Sequence, residues 1–151
     1  MDGNIYTEER NMIELIYGSK GTGKTKIIID KANDNVETAK GDIVFITDTD
    51  ELIHQLRYQI RIINASVLKD GEDRAIEIPE LVAFIKGILS ANYDIETLYI
   101  DGAHRMFKKK VPEMGEFYAE LGKIAKSSNV KFVITVSADP ADFPEELKQY
   151  V

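Results

Sequence analysis

Gly18-Ser19-Lys20-Gly21-Thr22-Gly23-Lys24-Thr25 fits the pattern G-x-x-x-x-G-K-[ST], a loop suited to cradling phosphate. An apolar run, Met12-Ile13-Glu14-Leu15-Ile16-Tyr17, leads into it, and a helix-patterned run beginning Lys26-Ile27-Ile28-Ile29 leads out. Strand, loop and helix in that order separate a working loop from a chance match. Glycines permit positive φ and let the backbone approach a ligand closely. Successive N–H groups can then form an anion nest, backed by the positive end of the helix dipole. All eight residues are expected to contact phosphate. Lys24 should reach the β- and γ-phosphates, which makes it a catalytic candidate, and the Thr25 hydroxyl should meet Mg²⁺.

Outward from the loop, the pattern alternates between helix and strand. Ile28, Ala32, Val36 and Ala39 recur at helical spacing, with Gly41 as the expected stop. Asp42-Ile43-Val44-Phe45-Ile46-Thr47 reads as a buried strand, followed by a short helix around Leu52–Leu56 capped by Thr49 or Asp50. A further strand is expected over 58–65. Residues 66–78 read equally as a small hairpin around Asp70-Gly71 or as a plain loop. Pro79 opens a helix with Leu81, Ile85 and Ile88 on its buried stripe. Glu96–Asp101 is the next strand, a helix follows Pro112, and Val130–Val136 is the last clear strand. A short helix is expected over 145–150. This order predicts an α/β three-layer sandwich around a mainly parallel sheet, with ligands at the carboxyl ends of the strands. Residues 1–11 are expected to be a tail, and 12–151 a single nucleotide-binding domain.

Composition narrows the classes. The chain has 151 residues, 44% of them hydrophobic, a formal net charge of −7 and no cysteine. Disulfides, thiol catalysis and cysteine-bound zinc are thereby excluded. No apolar run approaches the ~20 residues of a membrane span, so no membrane partner is expected. The polar start lacks the apolar core of a signal peptide, which points to a cytoplasmic address. The acidic balance argues against nucleic acid, since Lys108-Lys109-Lys110 is the only basic run and reads as a solvated loop.

Leu98-Tyr99-Ile100-Asp101 is an apolar strand ending in a carboxylate, the pattern of a Walker B element. Asp101 is therefore expected to hold Mg²⁺ with Thr25, usually through water, the competing role being a cap on the following turn. With Gly18–Thr25 as Walker A, the chain resembles the P-loop NTPase superfamily. Within it the resemblance is to the division that includes RecA-like and AAA-type ATPases, as a small stand-alone bacterial-type P-loop protein. The sheet pattern extends it over most of residues 12–140. It implies ATP as ligand or substrate and Mg²⁺ as cofactor. Short bacterial P-loop proteins labelled as pilus-retraction ATPases are also similar, but the extra domain and acidic and histidine boxes of true motility ATPases are missing.

Asp101-Gly102-Ala103-His104 is similar to the D-E-x-H box of helicase-like ATPases, with one departure. Gly102 stands where many of those proteins carry a glutamate that polarises water, and glycine has no group for general-base work. RecA-like proteins keep a catalytic acid at the end of a neighbouring strand, which implies Asp48 and Asp50 as candidates. Capping the helix after Thr47 is their alternative role. Ser137, near the end of the last strand with Thr135, resembles the polar sensor of AAA-type ATPases and is expected to contact nucleotide. His104 is a further candidate to orient phosphate or water. Arg57, Arg61 and Arg105 are candidates to stabilise charge. Such an arginine often comes from another subunit, so a homo-oligomer or a protein partner stays open.

Three functions follow: ATP binding with slow or partner-stimulated hydrolysis, a nucleotide-dependent switch or interaction module, and a small-molecule kinase. No arginine follows Arg105 to form the lid that nucleoside-monophosphate kinases use. The glutamate and zinc cysteines of thymidine-kinase-like proteins are missing too. Asn129-Val130-Lys131-Phe132 does not supply the N-K-x-D element that reads guanine, which favours ATP.

Overall fold

Five short segments rich in Ile, Val and Phe form one sheet: β1 (Ile13–Gly18), β2 (Asp42–Thr47), β3 (Arg61–Asn64), β4 (Ile95–Ile100) and β5 (Lys131–Ser137). The computed structural model describes residues 12–19, 21–138 and 144–145. The expected tail at 1–11, Lys20 and the expected helix over 145–150, apart from Glu145, lie outside the described residues. The strand order is β1-β5-β4-β2-β3, and every neighbouring pair is parallel. Parallel neighbours need crossovers. Three of the four connections are built around α1 (Lys24–Asn35), α2 (Ile78–Ala91), and α3 (Ala103–Phe107) with α4 (Gly115–Ser128), and the one from β2 to β3 holds a 3₁₀ turn at Ile53–Gln55.

Alternation along the strands sends side chains to two faces. Ile43, Phe45, Tyr99 and Val133 pack with Ile28, Ile29 and Ala32 of α1. Val44, Ile46, Leu98, Ile100, Phe132 and Ile134 pack with residues of α2 and α4, among them Leu81, Ile85, Leu121 and Ile124. The three α/β layers are thus held by two apolar clusters, one on each side of the sheet. Among the described residues no helix is long and apolar enough to cross a membrane.

Local chemistry accounts for the differences from the sequence pattern. The first helix stops at Asn35 rather than running toward Gly41. Asn33-Asp34-Asn35 are weak helix formers with competing side-chain bonds. Asn33 Nδ2 donates to the Gln55 carbonyl at 2.9 Å, and Asn35 Nδ2 donates to the Tyr99 hydroxyl at 3.0 Å. Gly41 is instead a point of close approach, where an added Cβ would collide with the Asp94 carbonyl oxygen. The strand expected over 58–65 shortens to β3, because the Ile60 N–H bonds the Arg57 carbonyl in a turn at 3.0 Å. The 66–78 stretch contains no hairpin. Ala65–Lys69 is a 3₁₀ turn whose start is capped by the Asn64 side chain, which accepts from Ser66 N–H at 2.9 Å. Pro79 does sit in the first turn of α2, where Glu77 and Glu80 form a capping box.

Candidate functional site

The carboxyl ends of β1, β4 and β5 meet at a cleft of about 380 Å³, lined by Gly21, Gly23, Lys24, Thr25, Asp101, His104, Arg105, Thr135 and Ser137. Two roomier clefts, of about 500 and 540 Å³, lie at the opposite edge of the sheet. Neither gathers a loop lysine, a hydroxyl and a buried carboxylate, so chemistry favours the smaller one.

The loop is shaped by its glycines. Gly21 and Gly23 have φ of 86° and 85°, the left-handed region in which glycine is least costly. Gly23 is also the residue from which α1 starts, and no side chain caps that helix. At Gly18 an added Cβ would lie 2.6 Å from Thr22 Oγ1, which itself donates to the Ser19 carbonyl at 2.7 Å. Lys24 Nζ donates to the same carbonyl at 2.9 Å. Burial pushes the Lys24 ammonium below its ordinary pKa; Asp101 opposes that shift and Arg105 adds to it.

Asp101 leaves the end of β4 fully inside the molecule, 1% exposed. Its backbone N–H donates to the Ile46 carbonyl at 2.9 Å. Thr135 Oγ1, also 1% exposed, donates to Asp101 Oδ1 at 2.7 Å and accepts from the Gly102 N–H at 3.1 Å. On the other side, Thr25 Oγ1 lies 3.2 Å from Asp101 Oδ2. Among the described residues the cation in contact with this carboxylate is Arg105, with Nη2 at 3.6 Å. Among the described residues no group of three or more His, Cys, Asp and Glu side chains gathers in a metal-holding arrangement.

Arg105 is the one of the three candidate arginines that the fold brings to the cleft. Arg57 pairs with Glu37, and Arg61 lies 3.6 Å from Asp42, both away from the loop. Arg105 grips Asp48 with two donors, Nε to Oδ2 at 3.3 Å and Nη2 to Oδ1 at 3.0 Å. Asp48 therefore stands beside the cleft but engaged. Asp50 stands apart from it: its Oδ1 accepts from Asn64 Nδ2 at 3.0 Å. His104 lines the cleft with its Nδ1 buried and unpartnered. Burial, then Arg105 and Lys24, hold its pKa below the ordinary histidine value, against the opposing pull of Asp101 and Asp48, so the neutral imidazole is favoured.

Gly102 has φ of 91°, and an added Cβ there would lie 2.5 Å from Arg105 Cζ. The absent side chain leaves room for the Arg105 guanidinium over the backbone. Ser137 is paired in register with Gly18 and reaches the cleft, as expected. Thr135 carries more of the structure than the sequence suggested. Its signal was the two-residue spacing from Ser137, which puts both hydroxyls on one face of β5. No protein-family model matches the chain, and no curated protein matches it either.

Proposed function

We propose that this chain binds a nucleoside triphosphate, ATP in preference to GTP, together with Mg²⁺ in this cleft, and that it hydrolyses the nucleotide slowly or when a partner stimulates it. The observation that carries the proposal is the convergence of Lys24, Thr25 and Asp101 at the mouth of a loop whose Gly21 and Gly23 have positive φ. Loop N–H groups and the start of α1 would hold phosphate oxygens, with Lys24 leaving the Ser19 carbonyl for the β- and γ-phosphates. Asp101 is buried with hydrogen bonds from Thr135 and Thr25 and a guanidinium at 3.6 Å, and a divalent ion on its Thr25 side would add a cation at closer range. Thr25 and Asp101 offer two oxygen donors, which suits Mg²⁺ because that ion keeps several waters and takes further ligands from phosphates. Bound Mg²⁺ would supply charge neutralisation across the β- and γ-phosphates.

The second reading, a nucleotide-dependent switch with negligible turnover, is favoured by the engagement of Asp48 with Arg105 and by the lack of an acid at Gly102. Calorimetric titration with Mg·ATP and Mg·GTP, beside steady-state hydrolysis of both, separates the two. Lys24→Ala is expected to lower Mg·ATP affinity by about 10- to 100-fold, the worth of a charge-assisted contact. Unchanged affinity in that variant would remove the loop from the binding site. Binding without any turnover would favour the switch.

A further inference from the structure

We propose that Arg105 is the residue that tells a triphosphate from a diphosphate: its guanidinium exchanges Asp48 for the terminal phosphate, and the exchange releases the Asp48 carboxylate beside the cleft. The inference rests on the nucleotide reading given above and goes beyond it in assigning a specificity residue and a coupled movement.

Four features of the structure carry it. First, Arg105 lines the same cleft as Lys24, Thr25 and Ser137, so a phosphate seated on the loop lies among these side chains. Second, it is already in the geometry that recognises an oxyanion. Nε and Nη2 take the two oxygens of Asp48 at 3.3 and 3.0 Å, and the guanidinium fork fits phosphate equally well. Third, the cationic side of the present pair is open to solvent. The Arg105 side chain is 45% exposed and that of Asp48 is 19% exposed, so solvent reaches the guanidinium and competes for it, while the carboxylate stays mostly covered. A terminal phosphate carries more charge than one carboxylate and would win the exchange. Fourth, the seat is provided by Gly102. With no side chain at that position the guanidinium lies over the backbone, where a Cβ would be 2.5 Å from its Cζ.

The surroundings favour the same outcome. Lys24 and Arg105 repel each other across the cleft, which contributes to the lowered pKa of Lys24. An anion between them relieves that repulsion. A diphosphate lacks the group that would draw Arg105 away, so Asp48 would stay engaged. Asp101 keeps its Thr135 hydrogen bond in either arrangement, because that bond uses the oxygen facing away from Arg105.

The test is calorimetric titration of the 151-residue chain with Mg·ADP and with the Mg²⁺ complex of the non-hydrolysable analogue adenosine 5′-(β,γ-imido)triphosphate. Arg105→Gln is expected to weaken triphosphate binding by about 10- to 100-fold while leaving Mg·ADP affinity unchanged. Arg105→Lys should recover part of the loss, since a point charge replaces the fork. Asp48→Asn should strengthen triphosphate binding alone, because the competing carboxylate is gone. Equal weakening of both nucleotides by Arg105→Gln, or no change in either, would overturn the exchange while leaving the loop assignment standing. Wild-type protein that binds neither nucleotide would overturn both.

Discussion

Thr135→Val tests whether the buried hydroxyl between β4 and β5 holds the site together. Valine matches threonine in shape, so the change removes hydrogen bonding and little else. Thr135 Oγ1 makes two bonds in a dry setting: it donates to Asp101 Oδ1 at 2.7 Å and accepts from Gly102 N–H at 3.1 Å. A bond to a charged acceptor is worth about 1.5–3 kcal/mol and a neutral one about 0.5–1.5 kcal/mol, each more costly when its partner is left buried. Asp101 would retain Thr25 at 3.2 Å and Arg105 at 3.6 Å, which moderates the loss. The expected destabilisation is about 2–4 kcal/mol, or a Tm drop of about 5–15 °C for a domain of this size. Urea unfolding at neutral pH measures it, with Thr135→Ser as the control. Serine keeps the hydroxyl and gives up one methyl, for about 1 kcal/mol. If the valine variant unfolds at the wild-type urea concentration, above the serine variant, the hydroxyl bridge contributes nothing and the account of Asp101 is wrong.

Two further predictions concern the frame. Gly41→Ala should destabilise by about 1–3 kcal/mol, because the new Cβ would meet the Asp94 carbonyl oxygen, which is backbone that has little room to give. Wild-type stability in urea would mean that the approach of the two loops is looser than described. Glu14→Gln should have a pH-dependent effect. Burial pushes the Glu14 carboxyl up, but Lys31 at 2.9 Å and Lys131 at 3.5 Å together hold it below the usual carboxylate range. A pKa lowered by folding contributes stability above the unfolded value, and that contribution is lost as pH falls through the folded value. The gap in Tm between wild type and Glu14→Gln should therefore be present at pH 6–7 and close below about pH 4. A gap that is constant with pH would show that the two lysines do not stabilise the charged form.

How much of this was legible in the sequence depended on the range of the interactions involved. Apolar runs such as Ile43–Ile46 and Leu98–Ile100 read as strands buried on both faces, and their alternation with helix-patterned segments pointed to a parallel sheet, so the fold class followed from the two together. The meeting of the loop and Asp101 at one cleft was legible because each ends or follows a strand that local spacing reveals. Other features lie in contacts between distant residues. The end of α1 at Asn35 depends on Gln55 and Tyr99, and Gly41 depends on Asp94. α3 is only five residues long and too short to show a period, yet it is what carries Arg105 to the cleft. Sequence offered three arginines with equal claim, and only the crossover after β4 distinguishes Arg105 from Arg57 and Arg61.

Gly102 is where the two lines meet. Read alone, it is a missing acid. Beside Arg105 it is space for a cation, with φ of 91° that an L side chain adopts only under strain. Glutamate there would strain the backbone at positive φ and push the guanidinium from its seat, since its Cβ and the guanidinium claim the same volume. Under the proposed reading the site is therefore better arranged to bind an anion than to activate water on its own. Asp48, the nearby carboxylate with a claim to base work, is held by the cation that a terminal phosphate would attract. Under the proposed exchange, release of Asp48 requires the triphosphate to be in place first. Turnover in such a site would be limited by how completely Arg105 lets go, which makes a slow enzyme and a nucleotide switch two settings of one ion pair.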